Sequence, residues 1–199
     1  MPADGAPTRR PGGRTRRVTE RLYAAAVELL AERGLDGLQY DELAARAQVG
    51  RATVYRRWPD RDGLLADVLE HFAVTSVPIT DTGDVVEDLT AFVHAFAAAA
   101  ASPAGRVVLQ ILLRRVDEDD DLRRAGVRLL DQRTADLQRR LDLATAAGQL
   151  PPVGAPFVNM MLAGPVQWST LRRARPLSVA EARDVVELVV AGLRQTGRL

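Results

Sequence analysis

Cysteine and lysine are both absent from this chain of 199 residues, and only two histidines are present. The lack of cysteine excludes disulfide bonds, thiolate metal sites and cysteine nucleophiles. His71 and His94 are isolated, without an acidic or nucleophilic residue at a spacing that catalysis uses. The sequence also lacks a glycine-rich phosphate loop and any zinc-binding spacing. We therefore expect a protein that is not an enzyme and that needs no metal or cofactor.

Long apolar runs are missing as well. The alanine-rich run at residues 97–101 is far too short to cross a bilayer. Residues 1–17 lack the apolar core of a secretory signal. Hydrophobic residues make up 47% of the chain and charged residues 27%, which is typical of globular proteins. These features predict a cytoplasmic protein without a membrane partner.

Because lysine is absent, all 27 basic residues are arginines. A GC-rich genome explains that usage, so the positions of the arginines are more informative than their number. Residues 1–18 are rich in proline, glycine and arginine and lack apolar periodicity, which predicts a disordered segment. The arginines of this segment are Arg9, Arg10, Arg14, Arg16 and Arg17. They either contact DNA as a basic arm or belong to a solvated tail.

The segment 19–66 has the pattern of a small DNA-binding domain. A first helix over residues 19–33 carries one apolar stripe, formed by Leu22, Ala25, Ala26, Leu29 and Leu30. Gly34 suits the left-handed residue that ends a helix. Two short helices, about 40–47 and 51–58, then follow in tight succession. This spacing is typical of a helix-turn-helix, in which the second helix of the pair enters the major groove of DNA.

The second short helix supplies most of the candidate DNA contacts. Val54 and Trp58 lie four residues apart and are expected to pack inward. The outward positions are then Arg51, Thr53, Tyr55, Arg56 and Arg57. Arg51 is the candidate for a guanine contact, Thr53 for a thymine methyl or a phosphate, and Tyr55 for the sugar-phosphate backbone. Arg61, which follows the capping residue Asp60, is placed to meet a phosphate at a helix N-terminus.

This region resembles the TetR family of one-component transcription regulators. The matching residues are Ala24-Ala25-Ala26, Leu29, Glu32-Arg33-Gly34, Leu43-Ala44-x-x-Ala47-x-Val49, Thr53-Val54-Tyr55 and Trp58-Pro59-x-Arg61-x-x-Leu64-Leu65. The resemblance implies that Arg51, Thr53 and Tyr55 touch DNA and that Arg61 replaces a phosphate-binding lysine. Gln39 occupies the place of a capping serine or threonine that often meets phosphate, and neighbouring Tyr40 can substitute for it.

Two departures from the family pattern lie in the turn of the helix-turn-helix. Gln48 stands where the family favours glycine, and Gly50 stands where it favours serine. If residue 48 is left-handed, a side chain there costs about 1–2 kcal/mol. The sequence therefore predicts that Gln48→Gly raises the melting temperature.

Residues 67–199 are predicted to form a second, all-helical domain for ligand binding and dimerisation, which gives an all-α protein of about nine helices. The breaks fall at residues 78–83, at Ser102-Pro103, near Gly148 and at Pro151-Pro152. The acidic run 117–121 is interpreted as helix caps rather than as a metal site. Ser178 and Glu181 form a capping box for the last helix.

The last two predicted helices are apolar on more than one side, which indicates a partner. The resemblance implies that these helices pair with their copies in a homodimer. The candidate interface residues are Phe157, Met160, Gly164, Trp168, Val185, Leu188, Val189 and Gly192.

The resemblance also implies a small-molecule effector bound inside the second domain. The candidate lining residues combine apolar bulk with a few polar groups, and they are Phe92, Phe96, Gln110, Arg114, Met161, Gln167 and Trp168. Each of them can instead belong to the core or to the dimer interface. The pair Gln110 and Arg114, four residues apart, either points inward or lies on the surface. No effector class follows from the sequence.

These patterns together predict a transcriptional repressor that is nucleoid-associated when bound to DNA. We expect a homodimer on a near-palindromic double-stranded operator, released by the effector. The alternative is a DNA-binding adaptor or activator whose second domain responds to a protein partner. That alternative would lack an enclosed pocket.

Overall fold

Helices dominate the computed structural model, which describes residues 12–112, 121–173 and 175–197. Within these ranges it contains no strand, so the predicted all-α fold is confirmed. The helices are α1 (Gly12–Arg33), α2 (Tyr40–Arg46), α3 (Arg51–Arg57), α4 (Arg61–Ser76), α5 (Val85–Ala101), α6 (Pro103–Leu112), α7 (Asp121–Ala146), α8 (Ala155–Arg173) and α9 (Val179–Thr196). A 3₁₀ turn, Gly34–Gly37, joins α1 to the segment before α2.

Helix α1 begins seven residues earlier than predicted, so the expectation of disorder is wrong for residues 12–18. The prediction failed because Gly12 and Gly13 have poor helix propensity and the apolar stripe begins only further along the chain. Arg16 forms an (i, i+4) ion pair with Glu20, with a distance of 3.0 Å from Nε to Oε1, and such pairs stabilise a helix. Arg9 and Arg10 lie outside the described residues.

Helices α1 to α3 pack around a small core that continues into α4. Leu29 of α1, Leu43 of α2 and Val54 of α3 are fully buried. Trp58, just after α3, is also buried, and its indole Nε1 donates a hydrogen bond of 2.9 Å to Asp67 Oδ2. The end of α3 is therefore fixed to α4, as the inward orientation predicted for Val54 and Trp58 requires.

Helix α5 is the centre of the C-terminal bundle and contacts α6, α8 and α9, while α4 packs along α7. Its apolar side buries Leu89, Phe92 and Val93 as predicted. The capping box of α9 is confirmed, because the Ser178 side chain accepts from the Glu181 backbone N–H and the Glu181 carboxylate accepts from that of Ser178. A hydrogen bond from Arg175 is the main reason that the pKa of Glu181 lies far below its usual value.

A buried ion pair fixes the segment between α4 and α5. Arg140 Nε of α7 donates to Asp88 Oδ2 of α5 over 2.7 Å, and both side chains are almost fully buried. Thr80 Oγ1 and the backbone N–H of Thr82 also donate to Asp88, each over 3.1 Å. Burial alone would raise the pKa of Asp88, but the hydrogen bonds from Arg140, Thr82 and Thr80 outweigh it and lower that pKa.

No single helix in the described ranges is long and apolar enough to span a membrane. Helices α5 and α6 reach the required length and composition only when they are taken together, and a bend of 99° separates them.

Candidate DNA-binding and ligand-binding sites

The turn between α2 and α3 contains a left-handed glutamine. Gln48 has a φ of +51° and is the non-glycine residue with a positive φ in the part of the chain that the structure describes. The guanidinium of Arg21, on α1, donates to the carbonyl oxygens of Ala47 and Gln48, and the second bond measures 2.6 Å. A cation at the C-terminal end of α2 also complements the helix dipole. Helix α1 thus holds the turn that sets the orientation of α3.

The outer face of α3 carries exposed basic and aromatic side chains. Arg51, Tyr55 and Arg56 are exposed, while Thr53 is half-buried beside them. Arg51 Nε lies 3.0 Å from Asp41 Oδ1 of α2, so the first residue of α3 is oriented by an exposed ion pair. This arrangement leaves the α3 side chains accessible to the major groove of DNA on one side of the domain.

Arg57 differs from the other arginines of α3 because it turns back towards α1. Its Nη1 donates to Thr19 Oγ1 over 3.2 Å, and its Nη2 donates to the Tyr23 hydroxyl over 3.1 Å. The guanidinium carbon also lies 5.0 Å from the centre of the Trp58 ring, within range of a cation–π contact. The geometry gives Arg57 a role in holding α3 to α1, in addition to the DNA contact predicted for it.

Two tyrosines meet beside α3. The rings of Tyr40 and Tyr55 pack edge to face with their centres 4.7 Å apart. The Tyr40 hydroxyl is buried and finds no hydrogen-bond partner among the described residues. Burial, followed by the charge of Asp60, raises the pKa of Tyr40, so the hydroxyl keeps its proton and remains a donor.

Gln39 and Arg61 border the same surface. Gln39 is the N-cap residue of α2, yet its side chain makes no cap hydrogen bond and instead donates to the Asp36 carbonyl over 3.2 Å. Arg61 is exposed at the start of α4, where its Nη2 donates to the Leu35 carbonyl over 3.3 Å. The Asp60 side chain caps α4 as predicted, accepting from the Gly63 N–H over 2.8 Å.

A cavity of about 170 Å³ lies in the C-terminal bundle between α4, α5, α6, α7 and α8. Three of the predicted lining residues, Phe92, Phe96 and Gln167, are in its wall. Gln110, Met161 and Trp168 are exposed and lie outside it, which fits the surface or interface placement that the sequence left open for them. Arg114 lies outside the described residues.

The position of α8 explains why Met161 and Trp168 lie outside the cavity. The cavity side of this helix presents Asn159, Ala163 and Gln167, which follow one another at intervals of four residues. The opposite side therefore carries Met161 and Trp168. Because α8 is apolar around most of its circumference, its sequence does not identify the side that faces inward.

Arg133 of α7 lines the cavity and was not predicted. Its side chain is only 16% exposed, and its guanidinium carbon lies 6.0 Å from the Phe92 ring centre. Nη2 donates to the carbonyl of Val77, the residue that caps the C-terminus of α4, and Nη1 lies 3.5 Å from Asp136 Oδ2. Burial lowers the pKa of Arg133, and the charge of Asp136 opposes that effect. One side chain thus links the cavity to the end of α4.

Family models match both parts of the chain. Residues 22–68 match the model for bacterial regulatory proteins of the tetR family. Residues 79–189, more than half of the chain, match the model for the tetracyclin repressor-like C-terminal domain. The chain belongs to the TetR family. It is therefore a helix-turn-helix transcriptional regulator and not an enzyme.

Two HTH-type transcriptional regulators are similar to part of this chain. The uncharacterized HTH-type transcriptional regulator YdeS of Bacillus subtilis is 31% identical over 91 residues, 46% of each chain. The HTH-type transcriptional regulator AqdR of Rhodococcus erythropolis is 31% identical over 104 residues, 52% of this chain and 50% of AqdR. The matching part thus spans about half the length of each relative.

Solved structures of transcription regulators match along most of the chain. The TetR family transcription regulator SCO0332 is 30% identical, with a TM-score of 0.68, over 88% of this chain and 98% of that one. FadR from Bacillus subtilis, solved in complex with stearoyl-CoA, is 19% identical, with a TM-score of 0.60, over 87% of this chain and 98% of that one. At that identity FadR shows the shared fold alone.

The residues predicted for a TetR dimer interface all lie on α8 and α9, which pack against each other. Three large apolar side chains are strongly exposed, with Met160 at 58%, Trp168 at 60% and Leu188 at 75%. Gly164 and Gly192 are exposed, and open space surrounds the position of a Cβ atom at each. Phe157, Val185 and Val189 are partly buried. These two helices therefore leave apolar surface uncovered in the single chain.

Proposed function

We propose that this TetR-family regulator is a repressor that binds a near-palindromic operator as a homodimer and is released by a small-molecule effector. The observation that carries the proposal is the pairing of two features. An exposed basic and aromatic face lies on α3, and a largely apolar cavity between α4, α5, α6, α7 and α8 reaches Val77 at the end of α4.

DNA contacts divide between base reading and backbone binding. Arg51, at the start of α3, reads a guanine, and Thr53 contacts a thymine methyl or a phosphate. Tyr55 and Arg56 contact the sugar-phosphate backbone. The remaining phosphate contacts come from the border of the same surface, namely Gln39, Tyr40, Arg57 and Arg61.

Two copies of the chain associate through α8 and α9. The exposed apolar side chains Met160, Trp168 and Leu188 support this arrangement, because a monomer seldom leaves such side chains on neighbouring helices uncovered. A two-fold axis through this interface places two α3 helices in successive major grooves. The operator then shares the two-fold symmetry of the protein.

Effector binding changes the position of α4 and hence the separation of the two α3 helices. The cavity supports an effector over the alternative of a protein-responsive adaptor, because a protein partner needs no apolar cavity between the helices. FadR, which has a similar fold, was solved in complex with stearoyl-CoA, and this supports a ligand-binding role for the fold. The proposed regulator acts in the cytoplasm, at the nucleoid.

The proposal is tested by selecting bound fragments of the source genome with the purified protein. We expect an inverted repeat to be enriched, and we expect the double variant Arg51→Ala/Tyr55→Ala to lose the enrichment. An enrichment that the double variant retains would contradict the assigned surface. Enrichment of single, unrepeated half-sites would contradict the dimeric arrangement.

A further inference from the structure

Arg133 is a positively charged side chain in the wall of a cavity that is otherwise mostly apolar. The apolar lining comes from all five surrounding helices and includes Phe72, Phe96, Leu109 and Leu129. Asn159 and Gln167 contribute amide groups, and Arg133 is the charged residue among the described lining residues. A cavity that bound a wholly apolar molecule would gain nothing from a guanidinium in its wall.

The partners that the structure supplies for Arg133 leave its charge incompletely balanced. Asp136 Oδ2 lies 3.5 Å from Nη1, beyond a strong charge-assisted hydrogen bond, and Asp136 is shared with Arg139. Asp136 lies in a separate surface groove, which Arg133 also borders, and not in the cavity. Because burying a charge is costly unless it is paired, an anion on the cavity side would be stabilised by Arg133.

Charge and size together restrict the ligand. One arginine balances one negative charge, and its planar guanidinium matches the two oxygens of a carboxylate, which favours a monocarboxylate over a phosphate dianion. The volume of about 170 Å³ is close to that of an apolar cavity of about 150 Å³ that accommodates benzene. The apolar part of the ligand is therefore about the size of one aromatic ring or a short alkyl chain.

We propose that the cavity binds a small hydrophobic monocarboxylate, with its carboxylate on Arg133 and its apolar part among the phenylalanine and leucine side chains. This inference rests on the proposed function, since it names the effector class of that cavity. The guanidinium that receives the carboxylate also donates to the carbonyl of Val77. A carboxylate that draws this guanidinium into the cavity competes with its hydrogen bond to Val77 at the end of α4, and so transmits occupancy of the cavity to the DNA-binding domain.

The test uses the full-length protein and a matched pair of probes, octanoate and octanamide, which differ in charge but hardly in shape. Calorimetric titration should give octanoate at least a tenfold lower Kd, a difference of about 1.4 kcal/mol. Arg133→Met should reduce the preference to threefold or less. Arg128→Met is the matched control, because Arg128 is an exposed arginine on the same helix outside the cavity, and it should retain the preference.

A second variant covers the case in which Arg133→Met does not fold. Ala163→Phe keeps Arg133 but fills part of the cavity, and it should weaken octanoate binding at least tenfold. Equal binding of octanoate and octanamide, no octanoate binding, or a preference that survives in Arg133→Met would overturn the inference.

The operator fragment separates this inference from the proposed function. Saturating octanoate should weaken operator binding by the wild-type protein at least tenfold, and an unchanged affinity would overturn the competition at Val77. Operator binding without any preference for octanoate would overturn the ligand class alone. An octanoate preference that depends on Arg133, in a protein that selects no operator, would support the ligand class and contradict the proposed function.

Discussion

Arg21 of α1 donates a hydrogen bond of 2.6 Å to the carbonyl oxygen of Gln48, the left-handed residue in the turn between α2 and α3. The same guanidinium also binds the carbonyl of Ala47, which follows α2. Because α3 begins three residues after Gln48, this contact helps to set the angle at which α3 leaves the domain. The turn therefore depends on a residue that is 27 positions away in the chain.

Replacing Gln48 with glycine should stabilise the protein. Glycine at this position avoids the cost of about 1–2 kcal/mol that a side chain has in the left-handed conformation. The greater conformational freedom of glycine in the unfolded chain offsets about 0.5–1 kcal/mol of this stabilisation. We expect a net gain of up to about 1.5 kcal/mol, or up to about 3–6 °C in melting temperature. Calorimetry measures it, with Gln48→Ala as a control that should show no gain. A melting temperature for Gln48→Gly at or below the wild-type value would contradict the strain.

Removing the Arg21 side chain should weaken both the domain and its DNA binding. Arg21→Ala leaves two carbonyls at the end of α2 without their charged donor, at a cost of about 1–2 kcal/mol because the site is partly exposed to water. Urea unfolding and operator affinity provide the two readouts. For urea unfolding, the control is Arg16→Ala on the same helix, whose exposed ion pair with Glu20 should contribute less than about 0.5 kcal/mol to stability. Equal effects of the two variants would refute a special role for Arg21.

Asp88→Asn should destabilise the bundle strongly, because it leaves the buried Arg140 without its main anionic partner. Breaking one side of a buried ion pair typically costs about 3–5 kcal/mol. The double variant Asp88→Asn/Arg140→Met should recover part of this loss, since it removes the unpaired charge. Urea unfolding at pH 7 measures all three proteins, and a single variant as stable as the wild type would contradict the account.

The stabilising effect of Asp88 should also depend on pH. The pKa of Asp88 is lowered in the folded protein, so its contribution is complete above the unfolded-state value of about 3.9 and is lost as the pH falls through the folded-state value. The stability difference between wild type and Asp88→Asn should thus be constant from about pH 8 to pH 5 and narrow below about pH 4. If the stability difference between wild type and Asp88→Asn became larger below pH 4, the pKa of Asp88 would not be lowered by folding.

Leu188→Glu should convert the proposed dimer into monomers. The side chain is 75% exposed on α9, and two-fold symmetry would bring both copies of the new charge into one interface. Sedimentation velocity measures the change, with Leu143→Glu as the matched control, because Leu143 is 53% exposed on α7. Loss of the dimer in the control alone would assign the interface to a different face.

The helix-turn-helix could be predicted from sequence because local signals agree there. Each signal depends on residues that are close together in the sequence. This holds for the apolar stripe of α1, the cap at Asp60 and the inward pair Val54 and Trp58. The structure also confirms the left-handed backbone at Gln48, which the family pattern indicated. Such features need no knowledge of distant contacts.

The cavity could not be predicted in the same way, because its lining is decided by the packing of helices that are distant in sequence. Helix α8 is apolar nearly all round, so only its packing against α5 and α7 shows that Asn159 and Gln167 face inward. Arg133 resembles any other arginine on the polar helix α7, and its importance appears only when Val77 and Phe92 lie beside it. Arg21 was missed for the same reason, since its acceptors belong to another helix.

The most direct test of the central claim, that α3 reads DNA bases, is the binding of Arg51→Ala to the selected operator and to versions with single base substitutions. Fluorescence anisotropy at fixed salt measures these affinities. The account predicts a loss of about 1–3 kcal/mol on the intact operator and a relaxed preference at one base pair in each half-site. An unchanged preference at every position, or an equal loss on all sequences, would contradict Arg51 as the base-reading residue.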